Sequence, residues 1–403
     1  MIPLSFLNRI KGSFFLYSIS LASYFLVDIY ISKNFENSEV ANWAYLKSIL
    51  FLSAAIVLLG MDKSVIKHPG FVKKYSKWLI IQIPVLAGFV SILFYFIKSE
   101  MSFIGIFFPV LLLSILMAVQ AIYRSFAKFT LAQMSSNGWK FVFFVIVGIL
   151  NEVFGVVALS ESIIVSMIVV VFFILFIELN TKKIRRLSLE YSKVDSNIAF
   201  RDGFLFLFHA VLFNLTISIE QIILNQQGMV DESALLFAHM AVFLPLIVAL
   251  NGFSGFLIGP IVRKRGFILV NEFYSILKRY TFVGIILLLV SYFIGDFLFK
   301  YFFENKFEFD IKICAFVLLI GGLRYLYVIP SSIIGMLGDS SVLKRSLIYY
   351  FFGALIYVSV LSVLLYLQYD TFNAILISSI INWFLRVGFG FILSYAELRP
   401  NEV

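Results

Sequence analysis

Cysteine is nearly absent from this chain: Cys314 is the only one in 403 residues. That excludes a disulfide framework and a thiolate metal cluster. Histidine is scarce too, and His68, His209 and His239 are scattered, so no histidine metal site is expected. The sequence has no P-loop, no Gly-rich phosphate cradle and no Ser/His/Asp arrangement, so an ATP-driven pump and nucleophilic hydrolysis both drop out. Neither a cofactor nor a catalytic residue is expected. Charge is thin as well. Charged residues make up 14% of the chain, where a soluble domain carries about a quarter.

Apolar residues take the remaining space. They are 61% of the sequence, including 48 Phe, and the mean hydropathy is +0.99. A hydrocarbon core about 30 Å thick needs roughly 20 apolar residues per helix. Twelve such stretches stand out, at about 14–31, 41–60, 78–97, 101–122, 141–158, 162–178, 204–224, 234–257, 281–299, 313–335, 347–367 and 372–394. The first has no small-x-small cleavage site and runs directly into Lys33-Asn34-Phe35-Glu36, so it is read as a spanning helix and not as a cleaved signal. The expected fold class is an all-α polytopic membrane protein with twelve transmembrane helices.

The polar segments alternate in positive charge. Residues 1–13, 61–77, 123–140, 179–203, 258–280, 336–346 and 395–403 carry 24 Lys+Arg, and the intervening loops carry 5. Basic residues concentrate on the cytoplasmic side, so both termini are expected there. Membrane anchoring accounts for most of the net charge of +9, and nucleic acid is not needed as a partner.

The segment 179–203 is basic and central, with Lys182, Lys183, Arg185, Arg186, Lys193 and Arg201. A shift of 192 positions lays Ser38–Gly60 over Val230–Gly252 without gaps, and Asp28 over Glu220. The expected organisation is a parallel duplication: helices 1–6 in residues 1–180, a cytoplasmic linker at 181–203, and helices 7–12 in 204–403. Parallel repeats of this kind are one transporter plan. The run Gly252–Pro260 is expected to loosen near the cytoplasmic face.

Three cations fall inside spans: Lys47, Arg324 and Arg386. Ionisable groups at such depth usually face a bundle interior or a wet cavity. Arg324 sits nearest the middle of its span, where snorkelling is hardest. The acids within spans are Asp28, Glu152, Glu220 and Asp296, all toward the outer ends. In one reading the cations line a cavity and hold an anionic headgroup, since guanidinium forks suit phosphate oxygens, and the acids couple an ion or gate the outer end. In the other, Lys47 pairs with Asp28 or Glu152, Arg324 pairs with Asp296, and the pairs only fix packing. Glu308-Phe309-Asp310 has the acid-x-acid spacing of some membrane glycosyltransferases, but it stands alone in a mixed-charge loop and reads as a solvated segment. Asn214-Leu215-Thr216 matches a glycosylation acceptor but lies inside a span.

Several short motifs carry a resemblance. They are Arg9-Ile10-Lys11-Gly12-Ser13-Phe14, Ile31-Ser32-Lys33-Asn34-Phe35 leading to Glu39-Val40-Ala41-Asn42-Trp43, Leu59-Gly60-Met61-Asp62-Lys63-Ser64-Val65, and Ala121–Phe129. With Pro330-Ser331-Ser332 to Gly338-Asp339, the chain resembles Wzx-type polysaccharide flippases of the multidrug/oligosaccharidyl-lipid/polysaccharide exporter superfamily. The resemblance implies two six-helix lobes around a central cavity. It also implies alternating-access movement of undecaprenyl-diphosphate-linked oligosaccharide, for O-antigen or a similar surface polysaccharide, across the bacterial inner membrane. Membrane lipids, a polysaccharide polymerase and a chain-length regulator would be its partners. Arg324, Arg386 and Lys47 would meet the anionic substrate, with Asn214 and Gln221 offering amides to sugars. Glu152, Glu220, Asp28 and Asp296 would serve coupling or gating. Two other classes stay open: a drug or small-molecule exporter of the same superfamily, and a membrane polymerase or glycosyltransferase. The longest outer loop, 300–312, is short for such an enzyme.

Overall fold

In lipid every backbone N–H and C=O must be satisfied within the chain, which leaves helices as the economical solution for these apolar stretches. A computed structural model follows that rule. It describes residues 4–97, 102–154, 159–181, 196–303 and 305–400. The helices are α1 (Leu4–Asn34), α2 (Asn37–Val57), α3 (Met61–Lys67), α4 (Val72–Ile97), α5 (Phe103–Ser125), α6 (Phe129–Phe154) and α7 (Leu159–Thr181), followed by α8 (Ser196–Gln226), α9 (Val230–Phe243), α10 (Pro245–Arg265), α11 (Val270–Phe303), α12 (Ile311–Leu337), α13 (Ser340–Tyr366) and α14 (Thr371–Tyr395). No strand occurs among the described residues. Ten of these helices are long and apolar enough to cross a membrane, or eleven if the bent pair of α9 and α10 counts as one span. The protein is an all-helical, multi-span membrane protein. Most of the basic linker at 182–195 lies outside the described residues.

Two details differ from the expectation. The eighth span does not loosen at Gly252–Pro260; α10 runs unbroken to Arg265 and is capped by Gly266 at a φ of 77°. The break sits earlier, between Phe243 and Pro245, with a bend of 66°. Pro245 has no N–H to donate to the Ala241 carbonyl, and its ring crowds that carbonyl, so the helix breaks there. The second difference is α6. It starts at Phe129, and the segment 129–140 expected in a cytoplasmic loop is helical instead.

The shift of 192 (196 minus 4) carries α1 onto α8, and both are 31 residues long. At about 1.5 Å per residue each is roughly 46 Å long, well beyond a hydrocarbon core.

The chain divides into two compact units, Met1–Val27 with Leu46–Asn214, and Asp28–Tyr45 with Leu215–Val403. In the first, α5, α6 and α7 pack on one another. The turn after α2 is drawn tightly onto α8. Leu59 and Gly60 adopt left-handed φ values of 51° and 68°, and a Cβ on Gly60 would meet the Gly203 carbonyl at 2.1 Å. Ser64 Oγ donates to the Ala199 carbonyl at 2.6 Å, and buried Asp202 takes Lys67 and His68, each at 3.0 Å. Beside this joint Met61, Val65, Phe71, Tyr75, Ile122 and Phe126 form a buried cluster.

In the second unit α12 packs between α10 and α14, and α13 lies on α14. Only 22% of the most apolar stretch of α11 and 17% of that of α13 is buried, against 67% for α12. Helices apolar on all sides yet exposed face lipid, and α12 is therefore the central helix of this unit. Lys306 donates to the Ser32 carbonyl at 2.7 Å and to the Phe35 carbonyl, which ties the α1–α2 turn to the segment after α11. Burial lowers the Lys306 ammonium from its ordinary pKa, with nearby Glu39 opposing. Asp310 caps α12 by accepting from Lys312 N at 2.7 Å, a structural use for the second acid of the acid-x-acid pair.

Candidate functional site

The second unit brings Arg324 and Arg386 onto one aromatic framework. Arg324 and Tyr327 lie three residues apart on α12, so they share a helix face. Trp383 and Arg386 have the same spacing on α14. The pairs interlock across the two helices. The Arg324 guanidinium lies over the Trp383 ring at 5.2 Å, and that of Arg386 lies over the Tyr327 ring at 5.1 Å. Tyr350 from α13 adds a second face under Arg386 at 4.4 Å. The Tyr327 ring meets Tyr350 and Trp383 edge-on, at 5.9 and 6.3 Å. Both arginines are buried, at 9% and 3% exposure. Rings with a quadrupole stabilise cations removed from water, which lets two guanidiniums persist at this depth.

The C-terminal half of α8 supplies oxygens. Arg324 Nη2 donates to the Ile217 carbonyl at 3.2 Å, and Arg386 Nη1 donates to Thr216 Oγ1 at 3.4 Å. Glu220, one turn further along α8, lines a cavity of about 10 Å³ with Arg324, Leu236, Met240, Phe316 and Ile320. That volume suits about one water molecule. Glu220 Oε1 and Arg324 Nε are buried without a hydrogen-bond partner. The polar wall of the cavity is therefore one carboxylate and one guanidinium, with apolar residues around them.

The other expected residues are placed as follows. Asp28 is buried and accepts from Trp43 Nε1 at 3.0 Å. Asp296 pairs with Lys300 at 2.8 Å, so Arg324 has Glu220 and not Asp296 as its acidic neighbour. Gln221 is engaged with the next helix: Ser233 Oγ donates to its Oε1 at 2.7 Å, and its Nε2 donates to the Ser233 carbonyl at 3.3 Å. Half-buried Asn214 donates to the Ala210 carbonyl of its own helix at 2.8 Å. The side chain of Glu152 lies outside the described residues. Among the described residues no group of three or more His, Cys, Asp or Glu is placed to hold a metal ion.

In the first unit, Lys47 Nζ lies 4.2 Å from the centre of the Tyr24 ring and 5.9 Å from that of Phe25. Lys140 lies over the same Tyr24 ring at 5.1 Å. The sequence reading missed Lys140 by placing it in a loop. A periodic signal was there to be read. Ala132, Ser135, Trp139, Phe143 and Val147 recur at helical spacing, and all are buried.

No protein-family model matches this sequence, and no curated protein matches it. Solved structures do match in shape. A MOP-superfamily transporter from Pyrococcus furiosus Vc1, whose pocket is described as reversed in polarity, shares 14% identity with a TM-score of 0.64, covering 96% of each chain. A multidrug resistance MATE family transporter of the MOP superfamily shares 12% identity with a TM-score of 0.62, covering 97% of this chain and 94% of that one. A Vibrio cholerae MATE transporter shares 12% identity with a TM-score of 0.61, covering 97% of both. The chain has the MATE transporter fold over almost its whole length.

Proposed function

We propose that this protein is a flippase for undecaprenyl-diphosphate-linked oligosaccharide, serving O-antigen or a similar surface polysaccharide by alternating access. The observation that carries the reading is the interlocked Arg324 and Arg386 pair. Two buried guanidiniums are held on aromatic rings, Arg324 beside the Glu220 carboxylate. Guanidinium forks match phosphate oxygens in planar, two-point contacts. An anionic, phosphate-bearing headgroup fits such a site, and the MATE-like fold supports transport as the class of activity.

The same reading gives Glu220 the coupling role. It faces the cavity beside Arg324, so a proton or cation taken up there changes the charge the arginine experiences. Asp296 is already held by Lys300, and Asp28 by Trp43. The charge split of 24 to 5 supports an inner-membrane protein with both termini cytoplasmic, built as lobes of residues 1–180 and 204–403 joined at 181–203. A polysaccharide polymerase and a chain-length regulator would act on the product.

Export of drugs is the second reading, favoured by the multidrug transporters among the matched folds. A cationic drug calls for acids and aromatics in its site. Within the second unit, the buried charges described on α8, α12 and α14 are two guanidiniums and one carboxylate, which favours an anionic cargo.

Complementation of a flippase-deficient strain tests the proposal. Wild type restores surface polysaccharide, and Arg324→Ala at normal membrane levels restores less than about a tenth, the scale of one lost charge-assisted contact. Full restoration by Arg324→Ala removes that residue from the site. No restoration by wild type, together with altered drug sensitivity on deletion, favours the exporter.

A further inference from the structure

We propose that Arg265 and Arg399 hold the phosphate of an anionic phospholipid whose acyl chains lie along α11 and α14. The site takes a lipid of the surrounding bilayer and uses neither Arg324 nor Arg386. It is built within the second unit, where α10 ends, α11 begins and the chain leaves α14. Backbone hydrogen bonds clamp these segments together. Arg399 N donates to the Ile268 carbonyl at 2.9 Å, and Val270 N donates to the Arg399 carbonyl at 3.1 Å. Leu398 packs beside them against a buried cluster that includes Val262, Ile268, Phe273 and Ile333. The Phe267 ring on this clamp takes both guanidiniums, Arg265 at 5.2 Å and Arg399 at 4.7 Å. The two cations therefore lie within about 9.9 Å of each other, and their long side chains can close on one anion.

Both arginines keep donors for a ligand. A guanidinium carries five N–H donors. Arg265 gives Nη2 to Glu272 Oε1 at 2.8 Å, and Glu272 Oε2 accepts the Leu269 N–H at 3.2 Å. Glu272 thus steadies Arg265 and closes the first turn of α11, as an acid at the third helical position does. Arg399 is placed by its backbone bonds and by the ring, with its side chain exposed. Glu397, the acid nearest to it along the chain, interacts with Asp339 and Arg345. Two guanidiniums against the one carboxylate of Glu272 leave the set cationic, which attracts an anionic headgroup.

The neighbouring surface favours a lipid over free phosphate. Tyr274, near the start of α11, and Tyr395, at the end of α14, are both exposed, with ring centres 6.5 Å apart. Tyrosine rings at helix ends sit at the headgroup level of a bilayer. Apolar side chains continue from them into the spans. Phe282 lies eight residues beyond Tyr274 on the same face of α11, and Ile392 lies one turn before Tyr395 on α14. They are 65% and 66% exposed. An exposed apolar strip, then a tyrosine pair, then two arginines follows the order of acyl chain, interface and phosphate in a phospholipid.

Native mass spectrometry of the full-length protein in detergent tests this by lipid retention. The probes are dioleoyl phosphatidylglycerol, dioleoyl phosphatidylcholine, the chain-free headgroup glycerophosphoglycerol and inorganic phosphate. Wild type is expected to retain phosphatidylglycerol at least about fivefold over phosphatidylcholine, the scale of one basic residue at an anionic surface. Neither the chain-free headgroup nor inorganic phosphate, in molar excess, displaces it. Arg265→Gln and Arg399→Gln each bring the two lipids near parity. Arg399→Lys keeps the charge on the clamped segment and retains the preference, which controls for folding. Lys344→Gln removes an exposed charge at the start of α13 and leaves the preference unchanged. Equal retention of the two lipids by wild type overturns the proposal, as does a preference that survives in the double variant Arg265→Gln/Arg399→Gln. A loss in Lys344→Gln as large as in Arg399→Gln overturns it too, because general surface charge then explains the binding. Displacement by inorganic phosphate or by the chain-free headgroup overturns it in favour of a free anion.

Discussion

Arg386 lies over the ring of Tyr327 at 5.1 Å while Arg324, on the helix of Tyr327, lies over Trp383 on the helix of Arg386. Each helix thus lends an aromatic face to the other's cation. The arrangement ties α12 to α14 and poises two guanidiniums at once. A cation–π contact removed from water is worth about 2 kcal/mol. Tyr327→Leu is expected to lower stability by about that amount, with a fall in Tm in detergent, whereas Tyr327→Phe keeps the ring and stays near wild type. Equal Tm values for the two variants would show that the ring does not support Arg386.

Glu220 and Arg324 face a common cavity with opposite charge. Removing either leaves the other less compensated in an apolar wall. Glu220→Gln and Arg324→Met are each expected to destabilise, and the double variant to destabilise by less than their sum. The coupling should fall within about 0.5–3 kcal/mol, read from a double-mutant cycle of thermal unfolding. Additive effects would mean that the two charges do not sense each other.

Gln221 and Ser233 exchange hydrogen bonds between α8 and α9. Interhelical polar contacts of this kind average about 0.6 kcal/mol in membranes. Ser233→Ala should therefore cost about that much in stability and leave transport within about twofold of wild type. A large loss of transport at unchanged stability would move Gln221 into the substrate path.

Gly60 sits at a φ of 68° with the Gly203 carbonyl 2.1 Å from where a Cβ would stand. Ala at this position meets backbone, which has nowhere to retreat. Gly60→Ala is expected to lower stability by about 1–3 kcal/mol through overpacking and left-handed strain, measured as a lower Tm and reduced protein in the membrane. The same substitution at Gly148, where nothing lies within 4 Å of the Cβ position, should be neutral.

The helical, multi-span class was legible because hydropathy and loop charge respond directly to the bilayer, whatever the packing. Helix pairing was not. Which acid neighbours Arg324 depends on how α8, α9 and α12 close around a cavity, and Glu220 is 104 residues away in sequence (324 minus 220). Sequence distance hid that relationship, as it hid the exchange of partners between Arg324 and Arg386. Lys140 was obscured differently. The run Gln133-Met134-Ser135-Ser136-Asn137-Gly138 is polar enough to pass for a loop, yet its hydroxyls and amides bond within the helix. Ser135 Oγ donates to the Leu131 carbonyl at 2.8 Å, and Ser136 Oγ donates to that of Ala132 at 3.2 Å. Such internal satisfaction makes polar residues tolerable in a membrane helix. The bend at Pro245 follows from a proline within the span, whereas the run Gly252–Pro260, expected to loosen, stays helical.

The most direct measurement is flipping by purified protein in liposomes, using fluorescent undecaprenyl-diphosphate-linked oligosaccharide and a membrane-impermeant quencher. Wild type should move the lipid well above protein-free liposomes, and Arg324→Ala and Arg386→Ala should each fall to about a tenth or less of that rate. Movement no faster than protein-free liposomes, or arginine variants as fast as wild type, would contradict the account.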